Sequence, residues 1–89
     1  QAEVLITVDV LKQARLVPEA MVSGFDGAKG TVWTVEEGRL RRRTIRLGYR
    51  MENASVEIRD ELPSGVVVIA HAEGTLQEGA RARLREAHK

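Results

Sequence analysis

The sequence predicts an all-β fold, a small β-roll or partly open β-barrel of antiparallel strands joined by glycine-containing hairpins. Three observations predict it. Apolar and polar residues alternate over short stretches, turn-forming residues recur about every 8–12 residues, and no apolar stripe at the helical period reaches a useful length. With 89 residues the chain accommodates one small domain. A domain of that size buries only about 60–65% of its unfolded surface. Phe, Trp and Tyr occur once each, so Val, Leu, Ile and Ala build most of the core.

The first strand is written in EVLITVDV, where Val4, Ile6, Val8 and Val10 alternate with Leu5, Thr7 and Asp9. LKQAR breaks that pattern. LVPEAMV follows, and Pro18 confines it to a sheet edge or the beginning of a strand. SGFDGAKG combines three glycines with Ser and Asp and reads as a turn or mobile hairpin loop. TVWTVEE resumes a strand, with Val32 and Val35 flanking Trp33. Glu36, Glu37 and Gly38 make a compact turn in which Gly38 supplies a positive φ.

Beyond that turn lies an arginine strand, with Arg39, Arg41, Arg42, Arg43, Arg46 and Arg50 inside VEEGRLRRRTIRLGYR. Ile45 and Leu47 share one face with Arg41 and Arg43 in phase, while Leu40 is out of phase. A bulge between Leu40 and Ile45 reconciles the two, and Gly48 ends the strand. ASVEIRD alternates again, with Val56 and Ile58 inward and Glu57 and Arg59 outward. Leu62 to Gly65 form a turn, VVVIAHA is an apolar run of strand length, and Leu76 to Gly79 form another turn. ARARL is the last strand, and REAHK a disordered or weakly helical tail. The structural turn positions are therefore Pro18, Gly38, Gly48, Gly65 and Gly79.

Fourteen basic residues face 13 acidic ones, for a net charge of +1. That balance argues against a dedicated nucleic-acid domain. Counterion release on phosphate binding is the functional alternative for the arginine cluster. No aromatic residues interleave with it, however, so bases find no stacking platform. Glu36, Glu37, Glu52, Glu57 and Asp60 lie close in sequence, and opposite charges paired across strands would use up much of the basic potential. The favoured reading is a solvated, ion-paired strand face that also meets a protein partner. Long charged side chains on an edge also discourage unwanted strand pairing.

Little else suggests chemistry. Cysteine is absent, which removes disulfides and thiolate metal sites. His71 reads as a half-buried strand residue and His88 as part of the tail, and no set of three or four zinc ligands assembles. The carboxylate pairs Glu36–Glu37 and Asp60–Glu61 sit beside turns, where solvation accounts for them. GFDGAKG lacks the Lys-Ser/Thr and the helix of a phosphate loop. The sequence therefore names no catalytic, cofactor-binding or metal residues. No apolar run approaches the roughly 20 residues that span a bilayer as a helix. Residue 1 is Gln, which fits an excised or processed chain whose anchor or address lies elsewhere.

The order of the pieces resembles a known family. VPEAMV at Val17–Val22 is similar to a VPxxAV segment, and Val32 to Val35 to a VWVV-like strand. Gly38 to Gly48 is similar to a basic GRxxRRxVxLG pattern. Glu61 to Val68 is similar to a GLxxGDxVV turn, and Leu76 to Ala82 to LxxGxxV. In that order, across roughly residues 3–84, these segments resemble the hemolysin-D-like periplasmic adaptor subunits (membrane fusion proteins) of tripartite efflux pumps. They are most like those serving resistance–nodulation–division transporters. Met21, Glu61, Val66 and Ala82 depart from the family pattern.

The resemblance implies residues 1–16 as the end of a preceding β-barrel strand and linker, 17–84 as a membrane-proximal β domain, and 85–89 as a flexible tail. It implies a non-enzymatic periplasmic module, attached to the inner membrane through a segment outside this chain and needing no cofactor. Its partners would be an inner-membrane transporter and neighbouring adaptor subunits, with an outer-membrane channel reached through other domains. Arg39, Arg41, Arg42, Arg43 and Arg46 would be its contact residues. A family strand from the protein's N-terminus is missing here, which would leave an unpaired sheet edge. The competing readings are an adaptor for an ATP-driven exporter, a nucleic-acid-binding barrel using Arg39–Arg50, and a small-molecule-binding β domain. The last requires a deep apolar pocket.

Overall fold

The computed structural model describes residues 4–11 and 15–86. Eight strands occur there: β1 (Leu5–Leu11), β2 (Leu16–Pro18), β3 (Val22–Ser23), β4 (Lys29–Glu36), β5 (Arg39–Arg50), β6 (Ser55–Ile58), β7 (Val67–Glu73) and β8 (Arg81–Glu86). A single 3-10 turn, Glu19–Met21, is the one helical element among the described residues. The fold is all-β. Strands β1, β7, β4, β5 and β8 close a five-stranded barrel, and β2, β3 and β6 lie outside the ring. Every pairing is antiparallel except β1–β8, which is parallel. At its narrowest the ring is held by one registered pair, Arg39 opposite Arg81, and the backbone bonds beside it.

β1 lies between β7 and β8, so Leu5–Leu11 belongs to the same ring as the segment from residue 17 onward. Arg85 belongs to β8, and residues 87–89, with His88, fall outside the described residues. The strand order ends in β2 and β3, of three and two residues, so the sheet's terminal strands are short. Pro18 closes the edge strand β2, where its missing N–H costs no ladder bond.

Two cores lie back to back. Ile6, Val8, Val10, Val35, Leu40, Ile69 and Ala80 fill the barrel. Val17, Val32, Ile45, Leu47, Val56, Ile58 and Val68 form a second cluster, built from β4, β5 and β7 together with β2 and β6. Side chains alternate faces along a strand, so β4 sends Val35 into one core and Val32 into the other. β5 does the same with Leu40 and Ile45.

That arrangement corrects the bulge expected between Leu40 and Ile45. The β4–β5 register runs without interruption from Lys29–Arg46 to Glu36–Arg39. The change of apolar phase marks a strand that buries one face and then the other, which requires no inserted residue. A register shift in β5 does occur, later and against β6, between Leu47 and Arg50.

β5 also continues through Gly48 to Arg50. Glycine there serves close approach: an added Cβ would run into the Glu57 carboxylate and lie 2.6 Å from Arg59 Nε. At the β4–β5 hairpin, Glu37 and Gly38 both hold positive φ, at 54° and 76°. That is the left-handed pair a two-residue turn of strand-matching twist needs, and it joins β4 to β5 where the sequence places it. Gly65 and Gly79 also lie in turns.

Candidate partner-contact surface

The arginine run divides between two faces. Leu40 points into the barrel, so Arg39 and Arg41 on either side of it, and Arg43 two residues further on, point away from the barrel interior with Thr34 and Glu36 of β4. Arg42 lies on the opposite face. Its guanidinium stands 5.6 Å from the Trp33 ring centre, with Glu78 3.6 Å away. Arg46 is also exposed, held by Asp60 through its Nε at 2.7 Å and its backbone N–H at 2.7 Å. The five expected contact residues are thus not one patch. Three share a face, and the other two do not join it.

Carboxylates occupy part of the run, as the neighbouring acidic residues suggest. Arg43 donates twice to Glu36, from Nε at 2.9 Å and Nη2 at 3.3 Å. The buried Thr34 hydroxyl donates to the same carboxylate at 2.8 Å. These donors, Arg43 first, hold the Glu36 carboxyl below its ordinary value. The Arg46 backbone N–H and then its side chain do the same to Asp60. Arg50 pairs with Glu19 and Arg59 with Glu57. Glu19 and Glu78 were not among the acidic partners the sequence suggested. Both are remote in sequence from the arginines they meet.

A second group of arginines completes the outward face. In β8, Ala82 stands opposite the buried Ile6 and packs on the barrel core, and Leu84, itself half exposed, shares its side, so Arg81, Arg83 and Arg85 point outward with Leu5, Thr7 and Asp9. Arg39 and Arg81 stand directly opposite each other. The two strands run in opposite directions from that point. The result is one outward line in the order Arg85, Arg83, Arg81 with Arg39, Arg41, Arg43. At about 6.6 Å per two residues it spans roughly 26 Å. The signal was present in the alternation of ARARLR, but only the strand order joins it to β5.

The line is not uniform. At one end Arg85 bonds Asp9 at 2.8 Å and Glu73 at 2.6 Å, and it is the main cause that lowers the Asp9 carboxyl below its ordinary value. At the other end Arg43 is occupied by Glu36. Arg39 and Arg81 have contacts of their own. Between them, Arg41 and Arg83 are exposed and meet no carboxylate at ion-pair distance among the described residues.

His71 differs from expectation. Its side chain is 66% exposed, on the barrel's outer face with Asp9 3.6 Å away, rather than half-buried. Val68 and Ile69 are buried in succession, and a register shift against β1 between Asp9 and Val10 follows, beyond which His71 stands opposite Asp9 on the wet side. Among the described residues no group of three or more His, Asp or Glu side chains could hold a metal. An open groove of about 710 Å³ lies beside the 59–66 loop, lined by Arg15, Arg59, Asp60 and Glu61 as well as Leu11 and Leu62. The charged lining contrasts with the deep apolar pocket a small-molecule domain requires. No described helix is long and apolar enough to cross a membrane. Comparison with protein-family models, curated proteins and solved structures finds no match to this chain.

Proposed function

We propose that this chain is the membrane-proximal docking domain of a periplasmic efflux adaptor. It seats the adaptor on the periplasmic part of an inner-membrane transporter and helps couple that transporter to an outer-membrane channel. The observation that carries this reading is the order of the family-like segments along the chain. VPEAMV covers β2, the 3-10 turn and the start of β3, and the Trp33 segment lies in β4. The basic GRxxRRxVxLG-like segment begins at the β4–β5 turn and follows β5. The mechanism is mechanical: the domain transmits a conformational cycle through contacts and performs no bond chemistry. Exposed charge pairs set register and encounter rate while adding little affinity each.

Crosslinking the full-length parent protein in its native membrane tests this. Recovery of an inner-membrane transporter with crosslinks into residues 17–84 is the expected result. Charge reversal at Arg41 should reduce that recovery in a folded variant. Arg43 is a poor choice for reversal, because a carboxylate there would face Glu36. Recovery of nucleic acid or a soluble enzyme in place of a transporter would overturn the reading.

A further inference from the structure

We propose that the arginine line shared by β5 and β8 is a docking track for an extended acidic segment of a partner protein, one with carboxylates at every second residue. The first support is period. Arg83, Arg81 with Arg39, and Arg41 occupy three successive outward positions along two strands joined end past end. Outward positions in a strand recur about every 6.6 Å, and so do alternate side chains of any other extended chain. An extended segment laid lengthwise on this line meets a guanidinium with each alternate side chain. A helix presents facing side chains about 5–6 Å apart, so its register drifts against the step of about 6.6 Å along the line.

The second support is where charge is already satisfied. Glu36 occupies Arg43 at one end, and Asp9 and Glu73 occupy Arg85 at the other. Arg43 and Arg85 thus spend their charge inside the fold, while Glu36 itself stands opposite Arg39 and within electrostatic reach of Arg41. The track therefore takes about five residues, roughly 13 Å of extended chain, from Arg83 to Arg41. Arg41 and Arg83, which make no ion pair among the described residues, are its two anchors. Arg42 and Arg46 lie off the line and take no part. A nucleic-acid strand fits less well, because no aromatic side chain stands along the outward line to stack a base.

The inference takes from the efflux reading only that the partner is a protein. The experiment is an NMR titration of the 89-residue chain at low salt with three probes: the peptides Glu-Ser-Glu-Ser-Glu and Glu-Glu-Glu-Ser-Ser, and pentathymidylate. The alternating peptide should bind about threefold or more tightly than the clustered one, shifting the amides of β5 and β8 around Arg41 and Arg83. Arg41→Gln with Arg83→Gln should weaken it about fivefold, at a few-fold per exposed pair, with an unchanged far-UV spectrum. Arg42→Gln with Arg46→Gln, a pair off the line, should leave the affinity unchanged. Equal binding of the two peptides, or no binding, overturns the track. Tighter binding of pentathymidylate overturns it in favour of a phosphate surface.

The two proposals fail separately. If the parent carrying Arg41→Gln and Arg83→Gln still crosslinks fully to its transporter, the track is wrong and the efflux reading stands. If the alternating peptide binds as described but no transporter is recovered, the efflux reading fails and the track stands.

Discussion

The two halves of β5 draw on similar residues and put them to opposite use. From Arg39 to Thr44 the strand is barrel wall: Leu40 alone is buried, and on the odd positions Arg41 is exposed between the half-buried Arg39 and Arg43. From Ile45 to Arg50 the odd positions Ile45 and Leu47 are buried in the second cluster, while Arg46 and Arg50 take the wet side. No residue is inserted between the halves. What changes is the neighbour: β8 and the barrel interior in the first half, β6 and the outer layer in the second. A strand's apolar phase therefore reports which face is covered locally, and it shifts wherever the cover changes sides.

The comparison breaks first, and most visibly, at the barrel core. Leu40 is completely buried, so Leu40→Ala leaves a cavity and should destabilise the chain by about 2–5 kcal/mol. Ile45→Val, in the outer layer, removes one methylene group and should cost about 0.5–1.5 kcal/mol. Urea denaturation of both variants checks the ranking. If Ile45→Val proved the costlier, the outer layer would be the principal core and the barrel secondary to it.

The hairpin that begins β5 comes next. Gly38 sits at φ 76° with open space around it, so a side chain would meet strain without any clash. Gly38→Ala should cost about 1 kcal/mol, the usual penalty for a left-handed position. Thermal unfolding should fall by about 4–8 °C in a domain of this size. A neutral result would mean that the turn relaxes to another type and the β4–β5 register is set by side chains alone.

These positions also show what was legible beforehand. The β4–β5 turn could be read from Glu37 and Gly38, because its requirement is local. The existence of most strands followed from alternation, a local signal too. The closure of the ring was not readable, because nothing in Arg39 or Arg81 announces that they stand opposite each other. The same holds for the second core: Leu40 and Ile45 look like a register fault until β2 and β6 are placed behind β5. The arginine line was half visible. Each strand's own alternation is plain, but its extension from β8 into β5 depends on long-range topology.

A pH measurement sharpens the contrast at the end of the line. Glu36 is held by Arg43 and Thr34, which lower its carboxyl in the folded chain. A carboxyl lowered on folding adds stability that is fully present above its ordinary value of 4.5 and lost as pH falls through the lower folded value. Glu36→Gln should therefore be less stable than the natural sequence at neutral pH, and the gap should narrow below about pH 4.5. Chemical denaturation at pH 7 and pH 3 would show it. A gap that stays constant would mean that Glu36 acts through its shape and hydrogen bonds, with its charge contributing nothing.

The smallest expected effect on stability lies one residue from the largest. Arg41 follows Leu40, but its side chain faces water on the other side of the sheet and meets no carboxylate at ion-pair distance among the described residues. Arg41→Gln should change stability by no more than about 0.5 kcal/mol, the ordinary range for a surface substitution. The two positions should exchange rank in partner binding, where Arg41 anchors the track and Leu40 touches nothing outside the barrel. A measurable loss of stability in Arg41→Gln would mean that the arginine line helps to hold the narrow β5–β8 closure. Its positive charge would then be engaged within the fold, and less of it would remain for a partner.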